Sequence, residues 1–333
     1  MTKKIIYTTI LTAFAAVGIF AQTPSPKPNA APNIPQIAPQ PIAIETILDE
    51  AEKQAAFYRD TFRDLLATET KTFEEYDKTG ELEDATTVES NFLVYQSPKD
   101  EKVSSELRNV VKVDDKPVPD SQARADRFLS ELEKTSTLEK ELEKIQGEGW
   151  RYDKTLRIVG FTLYQAVALA DNLRPVFDFK LLGTENYQGS EVYIVSYQQT
   201  KKSPFITVNE KDAGGAGVKL DFDADIPGAL KKNDKFLRGK LWIDARTFQL
   251  WREERLLIVQ TAAAPLVAIE TTFEYAPSEF GILVPKKISL LENDFKKIPK
   301  TENFTVVKNM QVNFDYSKFR KTSVDVQILD DGD

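Results

Sequence analysis

From residue 176 onward the sequence alternates. Apolar and polar residues change places at nearly every step through "VFDFKLLGTENYQGSEVYIVSYQQT", "LRGKLWID", "FQLWREERLLIV", "VAIETTFEYAPSEFGILVPKKISLLEN" and "NFTVVKNMQVNFDYSKF". A period of two belongs to strands with one face covered and the other wet. In the last segment Phe304, Val306, Met310, Val312, Phe314 and Tyr316 fall on one face, with Thr305, Asn309, Gln311, Asn313 and Asp315 on the other. Many such strands in succession, with no strand–helix–strand series between them, restrict this part of the chain to an antiparallel sheet.

The preceding part supplies helices and more strands. Ile44, Ile47, Leu48, Ala51, Ala55, Tyr58, Phe62, Leu65 and Leu66 recur at helical spacing, which predicts a helix with one apolar face. "LATETKTFEEYDKTGE" changes to a period of two, with Lys71 and Phe73 on one face and Thr70 and Thr72 on the other. Thr86, Val88, Ser90, Phe92 and Val94 alternate in the next strand, and "VSSELRNVVKVDDKPVPD" reads as a further strand ending in a turn. Residues 120–146 are charged and helix-prone, with Asp120 or Ser121 as cap, and "TLYQAVALADNLRP" from residue 162 predicts a shorter, more buried helix stopped near Pro175. The expected fold class is α+β: a large curved antiparallel sheet, a half-open barrel, with the helices packed on its concave side.

The chain starts "MTKKIIYTTILTAFAAVGIFAQTPSP". A basic pair, a short apolar stretch and the small Ala21 read as a secretory signal peptide over residues 1–21. Residues 22–42 hold seven of the 17 prolines and read as a disordered Pro-rich linker. A single domain is expected over 43–329, followed by an acidic tail over 330–333. Losing Lys3 and Lys4, and no acid, with the signal takes the formal net charge from −8 to −10. That disfavours nucleic acid as a partner and simple attraction to anionic lipid surfaces. No further segment is apolar for long enough to span a membrane. The expected location is the periplasm, or the outside of the cell.

The 333 residues contain neither Cys nor His. Disulfides and Cys-ligated metals are excluded, and so are histidine-based triads; nearly all zinc, copper and non-haem iron sites go with them. No cofactor and no metal is expected. What remains is carboxylate, lysine, tyrosine or arginine chemistry. Glu253 and Glu254 in "WREERLL" are strand neighbours that point to opposite faces, and surface pairing with Arg252 and Arg255 is the favoured reading. Asp221, Asp223 and Asp225 alternate like the start of a calcium loop, but Ile226 and Lys232 occupy the places that need glycine and a carboxylate; an acidic strand face is favoured. Gly214, Gly215 and Gly217 lack the Gly-Lys-Ser/Thr ending of a phosphate loop and read as a connection.

The order of "LLGTENYQGSEVYIV", the hairpin "GKLWIDARTFQLWRE" and the strand "GILVPKKISL" resembles the LolA/LolB-like superfamily of periplasmic outer-membrane lipoprotein-sorting proteins, over roughly residues 176–316. "LRNVVKVDDKPVPD" and the charged helix after it are similar to secreted bacterial proteins of unknown function with the same C-terminal pattern. The resemblance implies a half-open barrel with helices plugging its mouth and an apolar cavity for acyl chains. It carries over no binding residue.

Three functions are weighed. The first is a non-enzymatic carrier or sensor of apolar ligands, such as lipid or lipoprotein acyl chains. Its candidate ligand residues are Leu241, Ile243, Phe273, Tyr275, Val306, Met310, Val312 and Phe314 on the inward strand faces, with Trp242 and Trp251 flanking the hairpin turn at Asp244. Any of these can equally be closed core. Trp242 is expected to stack under Arg238 and Lys240, and Gly239 to mark a bend or bulge. The second is a structural or protein-interaction module of the cell envelope, with an exposed strand edge. The third is a carboxylate-dependent hydrolase, which needs two buried acids facing one cleft.

Overall fold

The computed structural model describes residues 42–63, 65–96, 104–121, 123–124, 147, 149–153, 162–209 and 217–321. The signal peptide and nearly all of the Pro-rich linker lie outside the described residues. So do most of the charged 120–146 segment, Gly214, Gly215 and the acidic tail.

Among the described residues one helix, α1 (Ile44–Phe62), precedes thirteen strands. These are β1 (Leu65–Tyr76), β2 (Leu82–Gln96), β3 (Ser104–Val113), β4 (Lys116–Pro117), β5 (Phe177–Tyr187), β6 (Ser190–Gln199), β7 (Ile206–Val208), β8 (Leu220–Phe222), β9 (Lys235–Asp244), β10 (Leu250–Val259), β11 (Leu266–Pro277), β12 (Leu283–Lys297) and β13 (Phe304–Lys321). Eleven of them form one antiparallel sheet in the order β4-β3-β2-β1-β13-β12-β11-β10-β9-β6-β5, while β7 and β8 make a small parallel pair. The sheet is not closed: β4 lies at one edge and β5 at the other.

Two-residue turns fix several registers. Asp114 and Asp115 both have positive φ, at 48° and 61°, as do Gln188 and Gly189, at 50° and 87°. Turns of that hand match the right-handed twist of the strands they join.

The helix buries Ile47, Leu48, Ala51, Tyr58 and Phe62, one stripe at helical spacing. Glu45 in its first turn and Arg59 in its last complement the helix dipole. Leu65 and Leu66, which continue the apolar spacing in the sequence, belong instead to β1; they pair with Lys321 and Arg320 of β13. Tyr58 meets Tyr275 of β11 edge-on, and Phe62 lies against Phe92 of β2 and Phe319 of β13. Nearer the helix start, Arg174, just before β5, binds Asp49 at 2.7 Å and Glu52 at 3.0 Å. The helix therefore crosses the strands. Eleven strands laid flat span roughly 48 Å, against about 28 Å for nineteen helical residues, yet α1 reaches from the edge strand β5 to β2, so the sheet curls around it.

The helix expected from residue 162 does not form. The segment makes two short 3-10 turns, Val167–Leu169 and Arg174–Val176. Ala166 has a left-handed φ of 44° and Ala170 is extended at ψ 140°, so no run of helical residues can develop. Leu163, Ala166, Val167, Ala168, Leu169 and Leu173 are all buried. Burial on several sides outweighs the propensity of the alanines and leucines. Among the described residues α1 is the one α-helix longer than a turn, and the expectation of several helices gathered on the concave side is corrected to one helix and an irregular buried segment.

Candidate functional site

Directly paired residues share a face of a sheet. One inner row runs Val195, Leu241, Glu253, Phe273, Ile288, Phe314, Lys71, Val88 across eight strands. The next runs Tyr197, Gly239, Arg255, Thr271, Leu290, Val312, Phe73, Thr86. On the outer face, the row on the other side of the first reads Ile194, Trp242, Arg252, Glu274, Lys287, Asp315, Thr70, Glu89, Lys112, and the row between the two inner ones reads Ser196, Lys240, Glu254, Thr272, Ser289, Asn313, Thr72, Thr87. The outer face is thus polar, with charges alternating from Arg252 to Asp315 in one row, and the inner face is apolar with two interruptions.

The first interruption joins β1, β3 and β13. Arg108 lies between two buried carboxylates, with Nε 2.7 Å from Glu69 Oε1 and Nη2 at 2.8 Å from Glu69 Oε2 and 3.1 Å from Glu106 Oε2. Tyr316 donates to Glu69 Oε2 at 2.8 Å. Glu106 Oε1 accepts from the Thr162 amide at 2.9 Å and from the Thr162 hydroxyl. All four carboxylate oxygens are engaged. Burial alone would raise the Glu69 carboxyl, but Arg108 more than offsets it, aided by Lys71 and Tyr316, and holds it below its ordinary 4.5. Lys71 pairs with Asp153 beside this cluster; burial lowers the ammonium and raises the carboxyl. These two buried glutamates are turned onto one guanidinium, and an ionised, clamped Glu69 cannot serve as the proton donor of a two-carboxylate hydrolase.

The second interruption joins β6, β10 and β11. Arg255 gives Nε at 3.1 Å and Nη2 at 2.9 Å to Glu253 Oε1, and Tyr197 donates to the same oxygen at 3.1 Å. The Arg255 guanidinium also lies over the Phe273 ring, 4.8 Å from its centroid. Glu253 is fully buried and Arg255 nearly so, which corrects the expectation of a surface pair; only Arg252 and Glu254, 2.8 Å apart on the outer face, fit that description. Gly239 shows no register shift toward β6 or β10, so it is not a bulge. It is glycine because Tyr197 crosses it: a Cβ there would meet the Glu254 carbonyl oxygen at 2.0 Å and the tyrosine ring at 2.5 Å.

Nine of the ten candidate ligand residues are buried, and seven of them, Leu241, Ile243, Phe273, Tyr275, Met310, Val312 and Phe314, lie on the strand positions that face inward. Val306 is half-buried and pairs with Phe295 far along β13. Trp242 lies on the outer face, paired with Arg252, whose guanidinium sits 5.2 Å from the indole; its Nε1 donates to Glu185 at 2.7 Å. The cation over Trp242 is therefore Arg252, not Arg238 or Lys240. Trp251 donates to Asp244 Oδ2 at 3.0 Å, and Asp244 Oδ1 accepts from the amides of Arg246 and Thr247. The tryptophan pins the hairpin turn. Burial would raise the Asp244 carboxyl, but these donors bring it below its ordinary value. Asp221 lies in β8, where Thr207 donates to it, and Asp223 and Asp225 follow the strand, close to Glu292.

No family model matches the chain, and no curated protein matches it. Among solved structures it is similar to a DUF1329 family protein from Desulfovibrio piger (TM-score 0.32, 11% identity, 84% of this chain and 94% of that one). It is also similar to a putative outer membrane lipoprotein-sorting protein domain from Vibrio parahaemolyticus (0.35, 10%, 85% and 94%). A third is a LolA superfamily protein from Nitrosomonas europaea (0.34, 8%, 84% and 94%). The resemblance read from residues 176–316 is thus met by name among solved structures. At TM-scores this low the likenesses carry no argument about function, which has to come from the chain's own residues.

Proposed function

We propose that this chain is a non-enzymatic carrier or sensor of apolar ligands of the cell envelope, lipid or lipoprotein acyl chains, held between the inner face of the sheet and α1. Residues 1–21 serve as its export signal and 22–42 as its tether, leaving it in the periplasm or outside the cell. The observation that carries this reading is the apolar inner face, Leu241, Phe273, Ile288, Phe314 and Val312, of an open sheet under a single crossing helix. A helix held by one aromatic stripe and a few polar ties is a cover that can lift without dismantling the sheet.

Native mass spectrometry of the mature protein, purified without detergent and with lipid extraction in parallel, tests this. A stoichiometric co-purified lipid supports it. A bare protein that takes up neither added phospholipid nor fatty acid overturns it.

A specific observation favours the interaction-module reading as the second choice. Among the described residues strand β5 pairs only with β6 and its other edge has no partner strand, and Leu181 and Leu182 on it are 37% and 57% exposed. A partner strand would pair there. That reading requires slowed amide exchange over residues 177–187 when the partner is present, and it fails if those amides exchange equally fast in both states.

A further inference from the structure

The second inner-face interruption is half finished. Glu253 Oε1 receives three hydrogen bonds, while Oε2 of the same carboxylate has no partner among the described residues. The hydroxyl of Tyr275 has none either. Both side chains are essentially sealed, at 0% and 1% exposure. Tyr275 follows Phe273, which lies directly opposite Glu253, by two residues, so the two orphaned groups are diagonal neighbours on the same inner face. The Glu253–Arg255 pair is the charged neighbour that acts on the tyrosine hydroxyl. Tyr58 of α1 meets the Tyr275 ring edge-on, so the helix closes over this spot.

An unmade hydrogen bond at a buried group forfeits its solvation, which is why such groups are few and call for a partner. Here two occupy diagonal positions of one face, too far apart to pair with each other, and their chemistry is complementary. A carboxylate oxygen accepts and a phenol donates, so the partner must donate and accept at neighbouring atoms. A secondary amide or a hydroxyl does both. A free carboxylate has no proton to give and would bring a second negative charge to Glu253.

We propose that Glu253 Oε2 and Tyr275 Oη form a polar anchor inside the apolar face, which takes an acyl chain bearing a neutral amide or hydroxyl. This deepens the carrier reading and rests on it: the chain lies along Leu241, Phe273 and Phe314, and its polar group stops at the anchor. Ligand entry requires Tyr58 to withdraw from Tyr275, and its hydroxyl to release the Thr162 carbonyl, now 2.7 Å away.

The test uses two probes of equal shape, N-dodecylacetamide and dodecyl acetate, titrated calorimetrically into the full mature protein. They differ in one N–H. The amide is expected to bind at least ~10-fold tighter, because the ester leaves Oε2 unpaired. Tyr275→Phe is expected to weaken the amide several-fold while leaving the melting temperature of the ligand-free protein unchanged or higher. Equal binding of the two probes overturns the anchor and leaves the carrier reading standing. Binding of neither probe, nor of phospholipid, overturns the carrier reading itself. A Tyr275→Phe protein that melts lower yet keeps its amide affinity shows that the hydroxyl is structural, and also overturns the anchor. Should that variant not fold, the comparison of probes on the unaltered chain still decides.

Discussion

Two arginines sit buried on the same face of one sheet, each against glutamate and tyrosine, and they are not equivalent. Around Arg108 every carboxylate oxygen of Glu69 and Glu106 has a donor. Around Arg255 one oxygen of Glu253 and the hydroxyl of Tyr275 have none among the described residues. Carboxylates paired at every oxygen fix the positions of the strands that contribute them, although the buried Ser90 hydroxyl opposite Glu69 has no partner among the described residues. An unfinished carboxylate stores a penalty that an incoming group can relieve. The difference separates a part of the sheet that fastens β1, β3 and β13 from a part suited to binding.

The largest blow to this contrast comes from Arg108→Leu. Two carboxylates would be left buried without their cation, and urea unfolding is expected to show a loss of about 3–5 kcal/mol. Gly239→Ala strikes the other network. The added methyl meets backbone and the Tyr197 ring, and a loss of about 1–3 kcal/mol is expected by the same assay. Acid probes the first network. The Glu69 carboxyl titrates below its ordinary 4.5 in the folded chain. Its contribution is therefore present above that value and is lost as the pH falls through the lowered one. Stability measured downward from pH 5 should fall, and Glu69→Gln should flatten that limb. The sharpest comparison is also the smallest in energy. Tyr316→Phe removes a donor to a carboxylate and should cost about 1.5 kcal/mol, whereas Tyr275→Phe removes a hydroxyl with no partner among the described residues and should cost close to nothing. Equal losses in the two variants would erase the distinction between the networks.

Much of this architecture was legible in the sequence. The alternation after residue 176 gives the strands β5, β6 and β9–β13, and the spacing from Ile44 to Phe62 gives α1, because both are local patterns. The segment from residue 162 misled because its alanines and leucines are buried on several sides, where propensity counts for little. The inner network was readable in part. Counting back from Leu257 by twos reaches Arg255 and Glu253, so the same parity that marks the core marks the pair. That Tyr197 lies over Gly239 depends on β6 pairing with β9, which no local pattern encodes. Trp242 could be placed by parity alone: beside Leu241 and Ile243 in one strand, it must face the other way.

The junction of β1 with β13 has a kinetic consequence. It brings together Glu69 and Tyr316, 247 residues apart. The strands β1–β4 and the set β5, β6 and β9–β13 are two meanders in chain order, stitched at that one seam. Each can form its hairpins as it is made, but the edge of β1 stays unpaired until almost the last strand arrives. Such a seam closes slowly, because so long a loop must be ordered before any contact repays it. Until then the newborn chain carries an open strand edge, and anything that shortens it before β13 leaves two half-sheets with no common centre.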